Sequence, residues 1–258
     1  MNRVLGAVLA GLLAIGVLAA VIYSIAGRVG AGSQPVVMVH GVIGSEKQAY
    51  FRDSQVRDVF RRNGLDVQVD SAGSREIAST VDLSKYDFAF PAGVPAAQKI
   101  KTDRHASATY VPFFTPMAIA TYNTIVQLLS DPGVGVVSDQ AGYHSFDMKA
   151  YMDLVAKNKR WTDLPNSSKL YPAGKSVLIT STDVRTSNSA AMYLSIASYV
   201  VNANNIVQDD GTANQIAPKV APIFLRQGFT DSSSAVPFDD YLSIGIGKTP
   251  MVMIYEAQ

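Results

Sequence analysis

SVLITSTDVRTSNSAAMYLSIASYVV, residues Ser176–Val201, packs strand, turn and helix signals into one stretch. Val177–Thr180 is apolar and partly β-branched, the composition of a buried strand. A polar knot follows: Ser181, Thr182, Asp183, Arg185, Thr186, Ser187, Asn188 and Ser189. An apolar period then begins at once, with Ala190, Ala191, Leu194, Ala197 and Val201 on one stripe, so a helix is expected over Ser187–Asn204. A strand running through hydroxyl-rich residues into a helix start aims backbone N–H groups at an incoming polar or anionic group. One hydroxyl suffices for a cap, and this turn has several to spare. Asp183 with Arg185 reads as a local ion pair that shapes the turn. The pattern has an earlier counterpart, where Val36–His40 leads through Gly41 and Gly44 into Ser45-Glu46 and a second helical pattern. Two such mouths imply two lobes facing one ligand.

Strand and helix signals alternate outward from these anchors, which predicts an α/β fold with a largely parallel sheet. Expected strands are Val36–Val39, Leu65–Val69, Tyr86–Phe90, Thr109–Phe114, Met117–Thr121 and Met251–Tyr255. Expected helices cover Ser45–Asn63, Arg75–Thr80, Pro95–Lys101, Tyr122–Leu129, Asp147–Lys157 and, against Pro218 and Pro222, Ile216–Gln227. Thr115-Pro116 reads as a crossing between lobes, and Trp161 as an exposed helix end beside Lys157, Lys159 and Arg160. The division is then 1–34 for anchor and tether, 35–115 for a first α/β lobe and 116–258 for a second.

The anchor is the stretch Val4–Ala26, 23 residues without a charge. At 1.5 Å per residue it reaches roughly 34 Å as a helix, enough to cross a bilayer. Ser24 and Ala26 also have the spacing of a signal-peptidase site, but the apolar run is longer than a usual signal core, and an N-terminal transmembrane helix is the expectation. Arg3 and Arg28 flank it symmetrically and leave orientation open. Gly27–Gln34 is a short tether, roughly 15 Å in r.m.s. length if flexible.

Composition excludes several functions. A net charge of +1 with no basic cluster argues against nucleic acid; Arg57, Arg61 and Arg62 alternate with Asp53 and Asp58 and read as a solvated face. Without cysteine there is no disulfide framework, thiolate metal site or thiol nucleophile. His40, His105 and His144 are too far apart for a familiar metal motif, and no cofactor is expected. PVVMVHG at Pro35–Gly41 imitates the oxyanion-hole strand of α/β-hydrolases. There is no G-x-S-x-G nucleophile elbow, however, and the last histidine is His144, so no catalytic residue is assigned. Gly245 and Gly247 before Lys248 read as a turn and not as a phosphate cradle.

The series GSEK, SAGSRE, DFAFPAG, TPMAIAT and STDVRTSNSAAMYL, in that order, resembles the type II periplasmic solute-binding proteins, in particular the branch that binds molybdate, sulfate and phosphate. The resemblance runs from Pro35 to Gln258. It implies two α/β lobes that close on a ligand by hinge motion, and oxyanions held by hydroxyls and helix-start amides in place of full counter-charges. Carried over by motif, the ligand-binding residues would be Ser45, Ser74 with neighbouring Arg75, the cluster Ser187, Asn188 and Ser189, and Tyr255 on the last strand. Arg75 would suit a carboxylate or phosphate by paired hydrogen bonds. The implied role is that of an anchored receptor with its body outside the cytoplasm, passing a small polar or anionic ligand to an ABC permease. An anchored interaction or scaffold protein that keeps the fold without its ligand is the alternative. In the family the chain returns from the second lobe to complete the first, whereas this sequence stops at Gln258. Either it is a fragment or its fold ends differently, and the first lobe is expected to lack part of its sheet.

Overall fold

Alternating signals become a mixed α/β structure in which apolar runs set the strands and amphipathic runs cover them. The computed structural model describes residues 36–140, 143–228 and 230–258; the Val4–Ala26 span and its tether lie outside them. Among the described residues no helix is long and apolar enough to cross a membrane.

The chain divides into two compact units, which within the described residues comprise 36–39 with Ser54–Val67, and His40–Asp53 with Gln68–Gln258. Strands β1 (Val37–Gly44) and β2 (Leu65–Ala72) each begin in the first unit and end in the second. Helix α1 (Gln48–Arg52) belongs to the larger unit and α2 (Ser54–Arg62) to the smaller. The single helix expected over Ser45–Asn63 is thus interrupted, because Asp53 takes extended backbone, with ψ of 131°. In the smaller unit Asn63 caps α2 by donating from Nδ2 to the Val59 carbonyl at 2.8 Å. Gly64 then turns the chain with φ of +74°, a conformation that favours glycine. Its carbonyl accepts the Val37 amide at 2.8 Å.

In the larger unit, α3 (Ser74–Ser79) follows β2, and β3 (Phe88–Phe90) leads to α4 (Val94–Asp103), whose first turn carries Pro95. The strand order is β2-β1-β3, with β1 and β3 parallel in the register Gly41 to Phe88 through Ile43 to Phe90. This three-stranded sheet is the parallel part of the fold. The other paired strands are antiparallel, which corrects the largely parallel expectation. β4 (Met117–Thr121) pairs with β7 (Met251–Tyr255), and β5 (Val137–Gln140) with β6 (Tyr143–Phe146), a hairpin that lacked a recognised signal. Val177–Thr180 runs extended beside β7: the Thr180 amide donates to the Met251 carbonyl, and the Met253 amide to the Thr180 carbonyl, each at 2.9 Å. β7 therefore lies between two neighbours and is buried at every position.

Helices α5 (Asn123–Leu129), α6 (Met148–Ala156), α7 (Ser167–Leu170), α8 (Asn188–Val201), α9 (Asp210–Val220), α10 (Pro222–Leu225) and α11 (Ala235–Ser243) complete the larger unit. The core gathers Ile125, Leu128, Tyr151, Ile179, Tyr193 and Met251 with their neighbours, all between Ile125 and Met253 in sequence. Two expectations fail here. Thr109–Phe114 is an exposed coil and not a strand; Pro112 removes a ladder donor, and the aromatic composition imitates a strand that has nothing to pair with. Trp161 is fully buried and not an exposed end, packed edge-on against Tyr171 at 5.5 Å. Asn158, at φ of +52°, ends the α6 region and turns the chain inward, so the three basic neighbours of Trp161 do not report its environment.

Candidate functional site

Three strand-to-helix turns of the larger unit converge on one polar pocket. After β1, Ser45 opens a three-residue 3₁₀ turn; after β2, Ser74 opens α3; after the Val177–Thr180 segment, Ser187 precedes α8. Ser45, Glu46, Gly73, Ser74, Ser187, Asn188, Ser232, Ser234 and Tyr255, with Ala72, line a small polar recess of about 10 Å³, room for about one water molecule and open to solvent. Of the seven residues picked out by sequence, five lie on this wall: Ser45, Ser74, Ser187, Asn188 and Tyr255.

The other two have different neighbours. Ser189 is buried in a triangle of hydroxyls, 2.8 Å from Thr182 Oγ1 and 3.0 Å from Ser187 Oγ, and does not reach the wall. Thr182 donates to Ser187 at 2.7 Å. Since each hydroxyl has one proton to give, Ser189 then donates to Thr182, and the Ser187 proton goes either to Ser189 or into the pocket. Arg75 turns its guanidinium aside, donating from Nη1 to the Val184 carbonyl at 2.7 Å.

Ser74, Ser187 and Tyr255 each have their oxygen held by a neighbouring group. Ser74 Oγ is buried and accepts the Ala92 amide at 2.7 Å, which leaves its own proton to donate. Asn188 Nδ2 donates to the Tyr255 phenol oxygen at 3.0 Å, tying the start of α8 to the end of β7. Burial pushes the Tyr255 phenol well above its ordinary value; the bond from Asn188 opposes that shift and the nearby Glu46 carboxylate adds to it. Tyr255 is therefore a neutral hydroxyl donor at any ordinary pH.

Charge on the wall is confined to Glu46, which forms an ion pair with Lys47 behind it. Lys47 is itself buried, its ammonium 4.6 Å from the centre of the Phe90 ring, a cation–π contact. The pocket thus presents hydroxyls, an amide, a phenol and one compensated carboxylate.

The turn between Asp183 and Ser187 closes one side. Its Thr186 carbonyl accepts the Arg75 amide at 3.0 Å and the Glu76 amide at 3.4 Å, so it occupies the first donors of α3. Gly73 makes this approach feasible: a Cβ there would lie 2.6 Å from the Thr186 oxygen. Gly93 plays the same part for Asn188, whose Oδ1 would be 2.5 Å from an added Cβ, and its φ of +82° disfavours any side chain in any case. Asp183 and Arg185 pair as expected, the arginine bonds holding the Asp183 carboxyl below the usual carboxylate range. The Asp183 amide also donates to the Asp231 carbonyl at 2.8 Å, which brings the serine-rich loop to the site.

Sequence reasoning missed Glu46, Ser232 and Ser234 as wall residues. The signal that could have found two of them is the run Ser232–Ser234 before a helix, which repeats the hydroxyl cluster at Ser187–Ser189. Among the described residues no group of three His, Asp or Glu is placed to hold a metal ion. No protein-family model matches this chain, and no curated protein proves similar to it.

Proposed function

We propose that this chain is a membrane-anchored, extracytoplasmic solute-binding protein of the two-lobe type II class, which captures a small polar or anionic ligand and passes it to an ABC-type importer. The supporting observation is convergence: Ser45, Ser74, Ser187, Asn188 and Tyr255 come from widely spaced parts of the chain and line one pocket. The recess holds about 10 Å³, room for about one water molecule, so a ligand of a few heavy atoms would enter it only as the walls part. Capture needs no chemical step. Hydroxyls and amides replace the ligand's hydration, and closure excludes water.

Glu46 refines the ligand class. A carboxylate accepts hydrogen bonds and donates none, so a ligand carrying a proton of its own, such as hydrogen phosphate or a polyol, fits the wall better than a fully ionised one. The anchored scaffold without ligand remains the second reading, and a specific contact favours it: the Thr186 carbonyl already takes the first amides of α3.

Thermal unfolding against phosphate, sulfate, molybdate and small neutral metabolites separates the two. Saturation at a hundred times Kd stabilises by about 2.7 kcal/mol, equivalent to a rise of about 5–10 °C in Tm. Ser45→Ala and Asn188→Ala should abolish the rise for the active ligand. A flat Tm across the whole panel decides for the scaffold.

A further inference from the structure

We infer that helix α2 is a docking surface for anionic phospholipid headgroups, a role that rests on the proposed membrane anchor and adds a second, electrostatic attachment to it. The helix reads SQVRDVFRR, three arginines against one aspartate, and none of its residues is buried. Arg61 has 55% of its side chain exposed, and its contact with Asp58 stretches to 4.0 Å, leaving the guanidinium largely to solvent. Val59, three residues before Arg62 and hence on the same side, is 47% exposed. In the same unit Val36, Val37 and Met38 are each more than half exposed. Val59 beside Arg62 matches the boundary between headgroups and acyl chains, where the apolar part is shielded and the cation meets phosphate.

Chain connectivity places this surface near a bilayer if the anchor inserts. The Val37 amide is 2.8 Å from the Gly64 carbonyl, and Gly64 directly follows the cap of α2 at Asn63. The chain therefore enters the described structure beside the Arg61-Arg62 end of the helix. Upstream, the eight residues Gly27–Gln34 separate it from the uncharged run Val4–Ala26. Fully extended they span about 28 Å, and as a flexible chain roughly 15 Å. Screening removes the attraction beyond about 8 Å at physiological salt, and a tether this short keeps the arginine end sampling that distance.

The absence of cysteine makes the test direct, since one introduced thiol is unique. Full-length Val59→Cys protein, labelled with an environment-sensitive fluorophore, is reconstituted into vesicles carrying a headgroup-attached quencher. The vesicles are of phosphatidylcholine alone or phosphatidylcholine mixed with phosphatidylglycerol. Docking predicts strong quenching in the mixed vesicles and little in the neutral ones. Quenching should fall on raising salt, and the docked-to-undocked ratio should drop about fivefold in R62Q, on the side of Val59, and less in R57Q and R61Q, on the opposite side of the helix. Equal quenching in both lipids, or insensitivity to salt and to all three substitutions, overturns the inference. A protein that floats with the vesicles while its label stays unquenched sinks the docking surface and keeps the anchor; failure to float with either vesicle sinks both.

Discussion

β7 is buried at all five of its positions, whereas β3, as hydrophobic in composition, is only half-buried along its length. The difference extends to their surroundings. Around β7 lie the extended Val177–Thr180 segment and the helices that supply Tyr151, Tyr193 and Ile125, all fully buried. Around β3 the packing is aromatic and looser. Phe51 stacks on Phe88 at 6.2 Å and Phe113 tilts against Phe90 at 5.5 Å, while Tyr110, Val111 and Phe114 remain exposed. Hydrophobic sequence alone does not make a core; a strand needs a covered face and two partners, and β7 has both. The pocket wall draws Ser45 and Ser74 from the looser region and Ser187, Asn188 and Tyr255 from the tighter one.

The sharpest way to break this contrast is to truncate one side chain in each region. Ile179 is fully buried, and Ile179→Ala should cost about 2–5 kcal/mol through lost burial and an unfilled cavity. Phe114 is 89% exposed, and Phe114→Ala should stay within about 0.5 kcal/mol. Urea unfolding measures both; comparable losses would show that the Tyr110–Phe114 coil is part of a packed core after all.

Alkaline pH attacks the tighter region selectively. Tyr151 and Tyr193 share a hydroxyl contact of 2.9 Å in the core, and the Ile179 amide donates to the Tyr151 oxygen at 3.1 Å. Burial pushes the Tyr151 phenol up to about 12, opposed by its two hydrogen bonds, and burial likewise raises Tyr193. The folded chain thus holds these protons more tightly than the unfolded one. Their contribution is fully present below the ordinary tyrosine value near 10 and is lost as pH rises through about 12. In that window stability should fall by about 1.4 kcal/mol per pH unit for each tyrosine. Tyr193→Phe should reduce the slope of urea midpoint against pH between about 10 and 12; an unchanged slope would mean that Tyr193 loses its proton in the folded chain as readily as in the unfolded one.

How much was legible follows the same division. The turns at Ser45 and Ser187 are legible because each joins an apolar strand run to a polar helix start, whereas Ser74 as a ligand residue comes only from the resemblance. Tyr255 was reached only through resemblance, since nothing in MVMIY distinguishes a pocket tyrosine from a core one. Ser189 and Arg75 were indistinguishable from their neighbours in sequence, because orientation about one turn decides whether a hydroxyl meets Thr182 or solvent. The strand expected at Thr109–Phe114 and the exposure expected of Trp161 failed for a common reason. Composition reports what a segment prefers, and coverage depends on residues far away in sequence. The β5–β6 hairpin was missed because its strands are four residues long and Tyr143–Ser145 are exposed in succession, without the alternation of a half-buried strand.

The smallest of the expected effects probes the Thr186 carbonyl, one of the contacts that join the looser region to the tighter at the pocket. Gly73 has φ of −62°, so Gly73→Ala introduces no backbone strain, and any effect reports the 2.6 Å approach to the Thr186 oxygen. Forcing a methyl group into such a contact costs about 1–3 kcal/mol. Alanine recovers about 0.4–1 kcal/mol by restricting the unfolded chain, leaving a net loss of about 1 kcal/mol. Its signature is local. With the turn displaced, the Arg75 and Glu76 amides lose the carbonyl that accepts them at 3.0 and 3.4 Å, while the Ile179 amide keeps Tyr151. Hydrogen exchange should therefore accelerate at Arg75 and Glu76 and stay slow at Ile179. Arg75→Gln, which removes only the bond to Val184, should leave all three amides nearly as protected as before. If Gly73→Ala leaves Arg75 and Glu76 protected, the Thr186 carbonyl is not what caps α3, and the two regions are joined by something other than the pocket.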